Sequence, residues 1–116
     1  MNNSMYAEYL KERESVTLLE FNYGLATYSV ITKQEIYVQD VYIKPEFRSQ
    51  KLAHKLTDEC ISHYENNSKE KVKAIYGSVD IQANGTESSM KTILSYGFKI
   101  NNIENNKMIY FKKEIK

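Results

Sequence analysis

Ten consecutive residues, Glu35 to Lys44, alternate in a way that leaves neither side polar. Read as an extended chain, Ile36, Val38 and Tyr42 line one face, and Tyr37, Val41 and Ile43 line the other. β-Branched and aromatic side chains suit a pleated backbone, and a strand apolar on both faces belongs inside a sheet. Pro45 ends that strand, because it fixes its own backbone and lacks an N–H. From about Gln50 to Tyr64 the period changes: Leu52, Leu56, Cys60, Ile61 and Tyr64 form a stripe at helical spacing. Val72 to Asp80 returns to strand. Two strands joined by a helix need a crossover, and a crossover makes them parallel neighbours. The rest of the chain has to arrange itself around that parallel pair.

The remaining elements follow from periodicity and turn residues. Ser4 to Glu14 predicts a short helix, with Tyr6, Tyr9 and Leu10 at helical spacing. Val16 to Phe21 predicts a strand, Asn22-Tyr23-Gly24 a turn, and Leu25 to Ile31 a second strand. Asn66 to Lys71 reads as an exposed loop. Glu87 to Ser95 predicts a helix with Met90, Ile93 and Leu94 inward, closed by Gly97. Phe98 to Ile100 and Lys107 to Phe111 predict two final strands around an Asn-rich hairpin. The expected architecture is α+β: a mixed sheet of about six strands with three helices, in a single domain spanning residues 1–116.

Composition narrows the class further. Hydrophobic residues make up 41% and charged residues 27%, the balance of a folded globular domain rather than a disordered chain. The net charge of +1 supplies no strong field toward nucleic acid or an acidic membrane. A single cysteine, Cys60, rules out an intramolecular disulfide and fits a reducing compartment. No apolar run is long enough to span a bilayer. Met1 to Arg13 is polar and lacks the apolar centre of a signal peptide, so the expectation is a cytoplasmic protein. In that setting Asn84-Gly85-Thr86 is a chance match to the glycosylation triplet.

Chemistry is concentrated at the strand-to-helix junction, Val41-Tyr42-Ile43-Lys44-Pro45-Glu46-Phe47-Arg48-Ser49-Gln50-Lys51-Leu52-Ala53. The first-turn amides of a helix have no internal acceptors, and the helix dipole favours a negative group beside them. A strand running straight into a helix therefore makes a phosphate cradle, to which Arg48 could add a cationic contact. An ordinary crossover with a surface arginine accounts for the same residues on physics alone.

The order of elements resembles the GNAT fold, that of the acyl-CoA-dependent N-acyltransferases, without its first strand. The junction resembles that superfamily's pyrophosphate-binding motif, Arg/Gln-x-x-Gly-x-Gly/Ala, with Arg48 in the first position and Ala53 in the last. Tyr96-Gly97-Phe98 resembles the Tyr/Leu-Gly-Phe that closes the family's next helix. The resemblance covers roughly Val16 to Phe111. The chain is similar in particular to small bacteriophage-encoded members, through the short N-terminal helix and the Ser-x-x-x-x-Leu-x-Tyr-Gly-Phe pattern of Ser89 to Phe98.

The resemblance implies acetyl-CoA as donor and an amine as acceptor, either a small molecule or a protein lysine or N-terminus. It implies that the backbone of Val41, Tyr42 and Ile43 pairs with the pantetheine arm like an added strand. Arg48 and the amides of Ser49, Gln50, Lys51, Leu52, Ala53 and His54 hold the pyrophosphate. Asn84, Thr86 and Ser89 flank the reactive end. The acetyl group lies where the parallel strands diverge, beside Gln39, Val41 and Gly77 to Asp80. Asp80 is the candidate base for the attacking amine, and Tyr96 the candidate proton donor to the leaving thiolate. Two positions depart from the pattern. Lys51 stands where the family has its central glycine, and Ile93 stands where many members carry a tyrosine acid.

Other readings of the same residues stay open. Asp80 also reads as a solvated loop carboxylate, and Tyr96 as a core tyrosine with a bonded hydroxyl. Cys60 reads as an inert core thiol. His54 and His63 read as surface residues, without metal-ligand spacing. Lys51 and Ile93 favour an alternative function: a module that keeps the fold, and CoA with it, but works by binding a partner protein. A single-stranded RNA surface is the third class. Tyr96-Gly97-Phe98 has the look of an RNA-recognition fragment, but the aromatic pattern on adjacent central strands is absent.

Overall fold

The computed structural model describes residues 4–48, 51–82 and 86–115. Ser4 opens α1 (Met5–Tyr9), its hydroxyl accepting the Ala7 N–H at 3.0 Å. The helix widens into a π-helical turn, Leu10–Glu14, and stops at Ser15, whose φ of 56° is left-handed. Three strands follow, β1 (Thr17–Phe21), β2 (Gly24–Thr32) and β3 (Glu35–Ile43). After a 3₁₀ turn at Pro45–Phe47 come α2 (Leu52–Ser68), β4 (Ala74–Asp80), α3 (Thr86–Tyr96), β5 (Lys99–Glu104) and β6 (Met108–Glu114). The sheet order is β1-β2-β3-β4-β6-β5, with β3 and β4 parallel and every other pair antiparallel. This is the mixed sheet with three helices that periodicity implied. The central parallel pair and its crossover helix are where the two-faced strand required them.

Several details differ from the sequence reading. Leu94 of α3, expected inward, is exposed. The chain continues helical through Asn66, Asn67 and Ser68 instead of looping out there. The polar side chains bond back into the helix: Asn67 Nδ2 donates to the His63 carbonyl and Ser68 Oγ to the Tyr64 carbonyl, both at 2.7 Å. Lys69, at φ 65°, then closes the end. The alternation along β3 also breaks. Thr27 faces Asp40 and Tyr28 faces Val38, so Gln39 is an extra, bulged residue. The bulge reverses the inward set. Ile36 and Val38 are buried, Ile43 packs against the same core, and Tyr42 is exposed. Finally, His63 is half-buried, with Nδ1 at 2.6 Å from the Tyr28 hydroxyl.

That last contact gives a pH dependence. Burial, aided by Lys11, holds the His63 imidazole below its ordinary 6.5. Burial also pushes the Tyr28 phenol up to about 12, so Tyr28 is the donor to a neutral ring. Below 6.5 the unfolded chain binds a proton that the folded chain resists, so stability falls as pH drops through 6.5. Thermal melts at successive pH values should show this fall, and His63→Gln should flatten it. An identical pH profile in the variant would remove His63 as the cause.

Helices α2 and α3 cover one face of the sheet. Leu56, Cys60 and Tyr64 of α2 meet Ile36, Val38, Ile75, Val79, Phe98, Ile109 and Phe111, with Met90, Ile93 and Tyr96 of α3 packed against them. Cys60 is fully buried, and burial raises its thiol to about 12, as befits an inert core residue. A second small cluster, Leu10, Val16 and Leu18, seats the N-terminal helix. Gly97 has φ 115° and ends α3 in a Schellman motif: its N–H reaches Leu94 O, and the Phe98 N–H reaches Ile93 O. Asn105 and Asn106, at φ 53° and 51°, supply the two left-handed residues of the β5–β6 turn.

Gly24 is required by proximity. It pairs with Ile43, and a Cβ built on it would stand 2.1 Å from the Tyr42 carbonyl oxygen. That oxygen is main chain, so the strand itself would have to move. Gly24→Ala should cost about 1–3 kcal/mol. It should also displace the end of β3, and chemical denaturation measures the first effect. A variant as stable as the parent would mean the two strands separate easily there.

Candidate active site

The parallel strands β3 and β4 pair only from Glu35–Tyr37 to Ala74–Tyr76 and then separate. Past that point β3 keeps β2 as partner as far as Ile43, and β4 keeps β6 as far as Asp80. The bulge at Gln39 lies where the strands part, and such an insertion bends its strand away from its neighbour. The result is an open wedge, with the β3 backbone from 38 to 43 unpaired on its β4 side. Val41 and Tyr42 on this stretch are 38% and 48% exposed. At the apex, Gly77 follows the last paired residue of β4. A Cβ there would meet only ordinary contacts, the Phe98 ring at 3.8 Å and the Val38 carbonyl at 3.9 Å. Glycine thus leaves a methyl-sized space at the point of the wedge. The Tyr37 hydroxyl bonds to Ser78 Oγ across the two strands, tying them where they begin to part.

The second wall is the N-terminus of α2. Its approach is fixed by the Lys44 N–H bonding to Tyr23 O at 2.9 Å and by the 3₁₀ turn after it. Arg48 Nε donates to the Ile43 carbonyl at 2.9 Å, and its guanidinium lies 5.7 Å from the centre of the Tyr42 ring. Arg48 therefore sits against the unpaired end of β3. Lys51 caps the helix at φ 57°, ψ 24°. This is the left-handed region that glycine enters freely and other residues enter at a cost of about 1–2 kcal/mol. The backbone shape associated with glycine is kept although the residue is lysine. The first backbone bond of the helix runs from Lys55 N to Lys51 O. The amides of Leu52, Ala53 and His54 consequently have no acceptor among the described residues, and they form the anion-favouring end of a 17-residue helix.

Helix α3 is locked to this end of α2. His54 Nε2 lies 2.9 Å from Ser95 Oγ and 3.2 Å from the Thr92 carbonyl, so His54 bridges two helices rather than facing solvent alone. The Tyr96 hydroxyl donates to Asp58, and its ring stands 5.4 Å from His54. Lys113 Nζ donates to the Tyr96 carbonyl at 2.8 Å and lies 4.1 Å over the ring. Burial and the Asp58 carboxylate together push the Tyr96 phenol well above the usual range, so it stays protonated. Ile93, one turn earlier, packs into the core. Asp80 ends β4 on the other lip of the wedge, its Oδ1 accepting the Gln82 N–H at 2.9 Å. Ser89 is exposed on α3. Ser49, Gln50 and Asn84 lie outside the described residues, as does the Thr86 side chain.

The structure thus gathers Val41 to Ile43, Arg48 and Lys51 to His54 around one opening, with Asp80 at its far strand. Asp58, Ser78, Ser95 and the bulged Gln39 complete the surroundings. The first three were not singled out in the sequence. Asp58 and Tyr96 are 38 positions apart, and no periodic pattern links them. Among the described residues, no three His, Cys, Asp or Glu side chains converge to hold a metal. No helix there is long and apolar enough to cross a membrane.

A divergent parallel pair beside a helix N-terminus defines a recognisable class. Residues 1–101 match the family model of the acetyltransferase (GNAT) domain. The chain belongs to the GNAT acetyltransferase family. Among solved structures it is similar to the PaiA N-acetyltransferase of Thermoplasma acidophilum in complex with coenzyme A. That match has 16% identity and a TM-score of 0.72, over 93% of this chain and 67% of that one. It is also similar to a GNAT family acetyltransferase of Elizabethkingia anophelis with acetyl-CoA bound, at 15% identity and TM-score 0.65, over 98% and 85% of the two chains. A Bacillus subtilis acetyltransferase in complex with CoA matches at 11% identity and TM-score 0.65, over 99% and 93%. At these identities the likeness is one of fold. No curated protein matches the sequence.

Proposed function

We propose that this acetyltransferase uses acetyl-CoA and transfers the acetyl group to an amine by direct attack. The observation that carries the reading is the wedge itself: an unpaired β3 edge running into a helix whose first amides have no acceptor. When bound, acetyl-CoA supplies an acetyl group already activated as a thioester. The backbone of Val41, Tyr42 and Ile43 offers an amide-bearing pantetheine arm the hydrogen bonds of a missing strand. The amides from Ser49 to His54, with Arg48, balance the charge of the pyrophosphate. Asn84 and Ser89 border the reactive end. Asp80 takes the proton from the attacking amine. Tyr96 is the donor that the resemblance suggests for the departing sulfur, but its hydroxyl proton is held by Asp58 and its raised pKa makes it a weak acid, so the sulfur leaves as thiolate and takes its proton from solvent. The acceptor is a primary amine of a small molecule or a protein. A single buried thiol fits a cytoplasmic setting, that of the host if the protein is phage-encoded.

Arg48→Ala tests the donor site. Losing a charge-assisted phosphate contact should weaken CoA binding by about 1–3 kcal/mol. The variant should leave the thermal midpoint near that of the parent, since Arg48 is exposed. Unchanged affinity would sink the role given to Arg48. A second reading draws on Lys51, whose side chain stands at the cradle where glycine would leave space. In that reading the protein binds CoA or a partner without turnover. Titration with CoA alongside thiol release over a panel of amines separates the two.

A further inference from the structure

Strand β5 is the outer edge of the sheet, and all six of its residues are exposed. Ile100 and Ile103 are each 53% exposed, an unusual load of apolar surface for an open edge. Its sequence, Lys99-Ile100-Asn101-Asn102-Ile103-Glu104, reads the same from either end except that the terminal charges are opposite. The register with β6 adds a second fact. Ile100 faces Phe111 and Asn102 faces Tyr110, so Asn101 is an extra, bulged residue. In a regular strand, residues three apart point to opposite faces. Here the bulge puts Ile100 and Ile103 on the same face, beside Phe111 and Ile109, and leaves Lys99 and Glu104 together on the other.

We infer that β5 pairs antiparallel with β5 of a second copy of this chain, about a two-fold axis through the Asn101-Asn102 bulge. In that register Lys99 stands opposite Glu104 of the other copy, Ile100 opposite Ile103, and the reverse pairs repeat beyond the axis. Facing residues in an antiparallel pair must share a face. An unbulged six-residue strand fails this test about such an axis, because its two central residues point to opposite sides. The bulged strand passes it for Lys99 with Glu104 and for Ile100 with Ile103. Neither Lys99 nor Glu104 has an ion pair among the described residues, so both charges are available to the partner copy. The same charges oppose the neighbouring registers, since a shift of one position sets Lys99 against Ile103 or Glu104 against Ile100. The product is one continuous sheet of two six-stranded halves. A single short strand buries less than a permanent interface needs, so the dimer is a concentration-dependent one.

Sedimentation equilibrium at low salt, over roughly micromolar to millimolar protein, tests this directly. The wild-type mass should rise toward twice the monomer value. Lys99→Glu and Glu104→Lys should each set like charges at both ends and weaken the dimer by about tenfold or more. An equal mixture of the two single variants should associate again, because every facing charge is then opposite. Recovery in the mixture also shows that both variants are folded. A wild-type chain that stays monomeric overturns the inference. So does a dimer indifferent to both substitutions, or a mixture that associates no better than its components.

Discussion

Phe111→Ala is expected to remove about 3–5 kcal/mol of stability, the range for truncating a large buried aromatic. Phe111 is completely buried, at the centre of a β6 that runs between β4 and β5. It faces Gly77 on one side and Ile100 on the other. Two contributions add. The lost ring forfeits its transfer from water, and the glycine opposite has no side chain with which to fill the void. A domain of this length holds roughly 6–17 kcal/mol in all. The thermal midpoint should therefore fall by roughly 10–20 °C. The effect matters for the site as well, because Gly77 marks the apex of the wedge. Urea denaturation with two spectroscopic probes measures the loss. A change below about 1 kcal/mol would mean that the surrounding residues close the cavity at little cost.

Asp80→Asn carries the largest expected effect on turnover. If Asp80 takes the proton of the attacking amine, removing its basicity should lower kcat by about 10²–10⁴-fold. Affinity for CoA should be preserved, because Asp80 ends β4 across the wedge from the β3 edge and the α2 amides. The deficit should shrink as pH rises and more of the amine loses its proton unaided. Thiol release, with an amine that the wild type acetylates, gives kcat and KM separately. An unchanged kcat assigns Asp80 to the local turn that its bond to the Gln82 amide already makes. A loss confined to folding would show in the melt instead.

What the sequence revealed and what it concealed divide along physical lines. The two apolar faces of Glu35 to Lys44, the stop at Pro45 and the stripe from Leu52 to Tyr64 are periodic signals, and they required a central parallel pair. Gly97 marked the helix end because only a positive φ makes that turn easily. A bulge leaves no such trace. One extra residue at Gln39 reversed the inward set of β3 and accompanies the opening of the wedge, yet Gln39 differs in no way from its neighbours as a letter. The end of α2 was hidden for another reason. Asn and Ser favour loops on average, but at Asn67 and Ser68 their side chains bond back to the carbonyls four residues earlier in the helix. His54 and His63 looked like surface residues, because partners 41 and 35 positions away are invisible to local pattern. The open wedge and the free end of α2 were legible, since backbone direction creates them. The side-chain chemistry of the site depends on such long-range contacts, of which Tyr96 with Asp58 is the clearest.

The most direct measurement is a calorimetric titration of the wild-type protein with acetyl-CoA, with CoA as a parallel ligand. The unpaired β3 edge and the open amides of α2 require saturable one-to-one binding of both. No heat of binding up to millimolar ligand would contradict the wedge as a donor site, and would mean that Lys51 closes the cradle its backbone shape preserves.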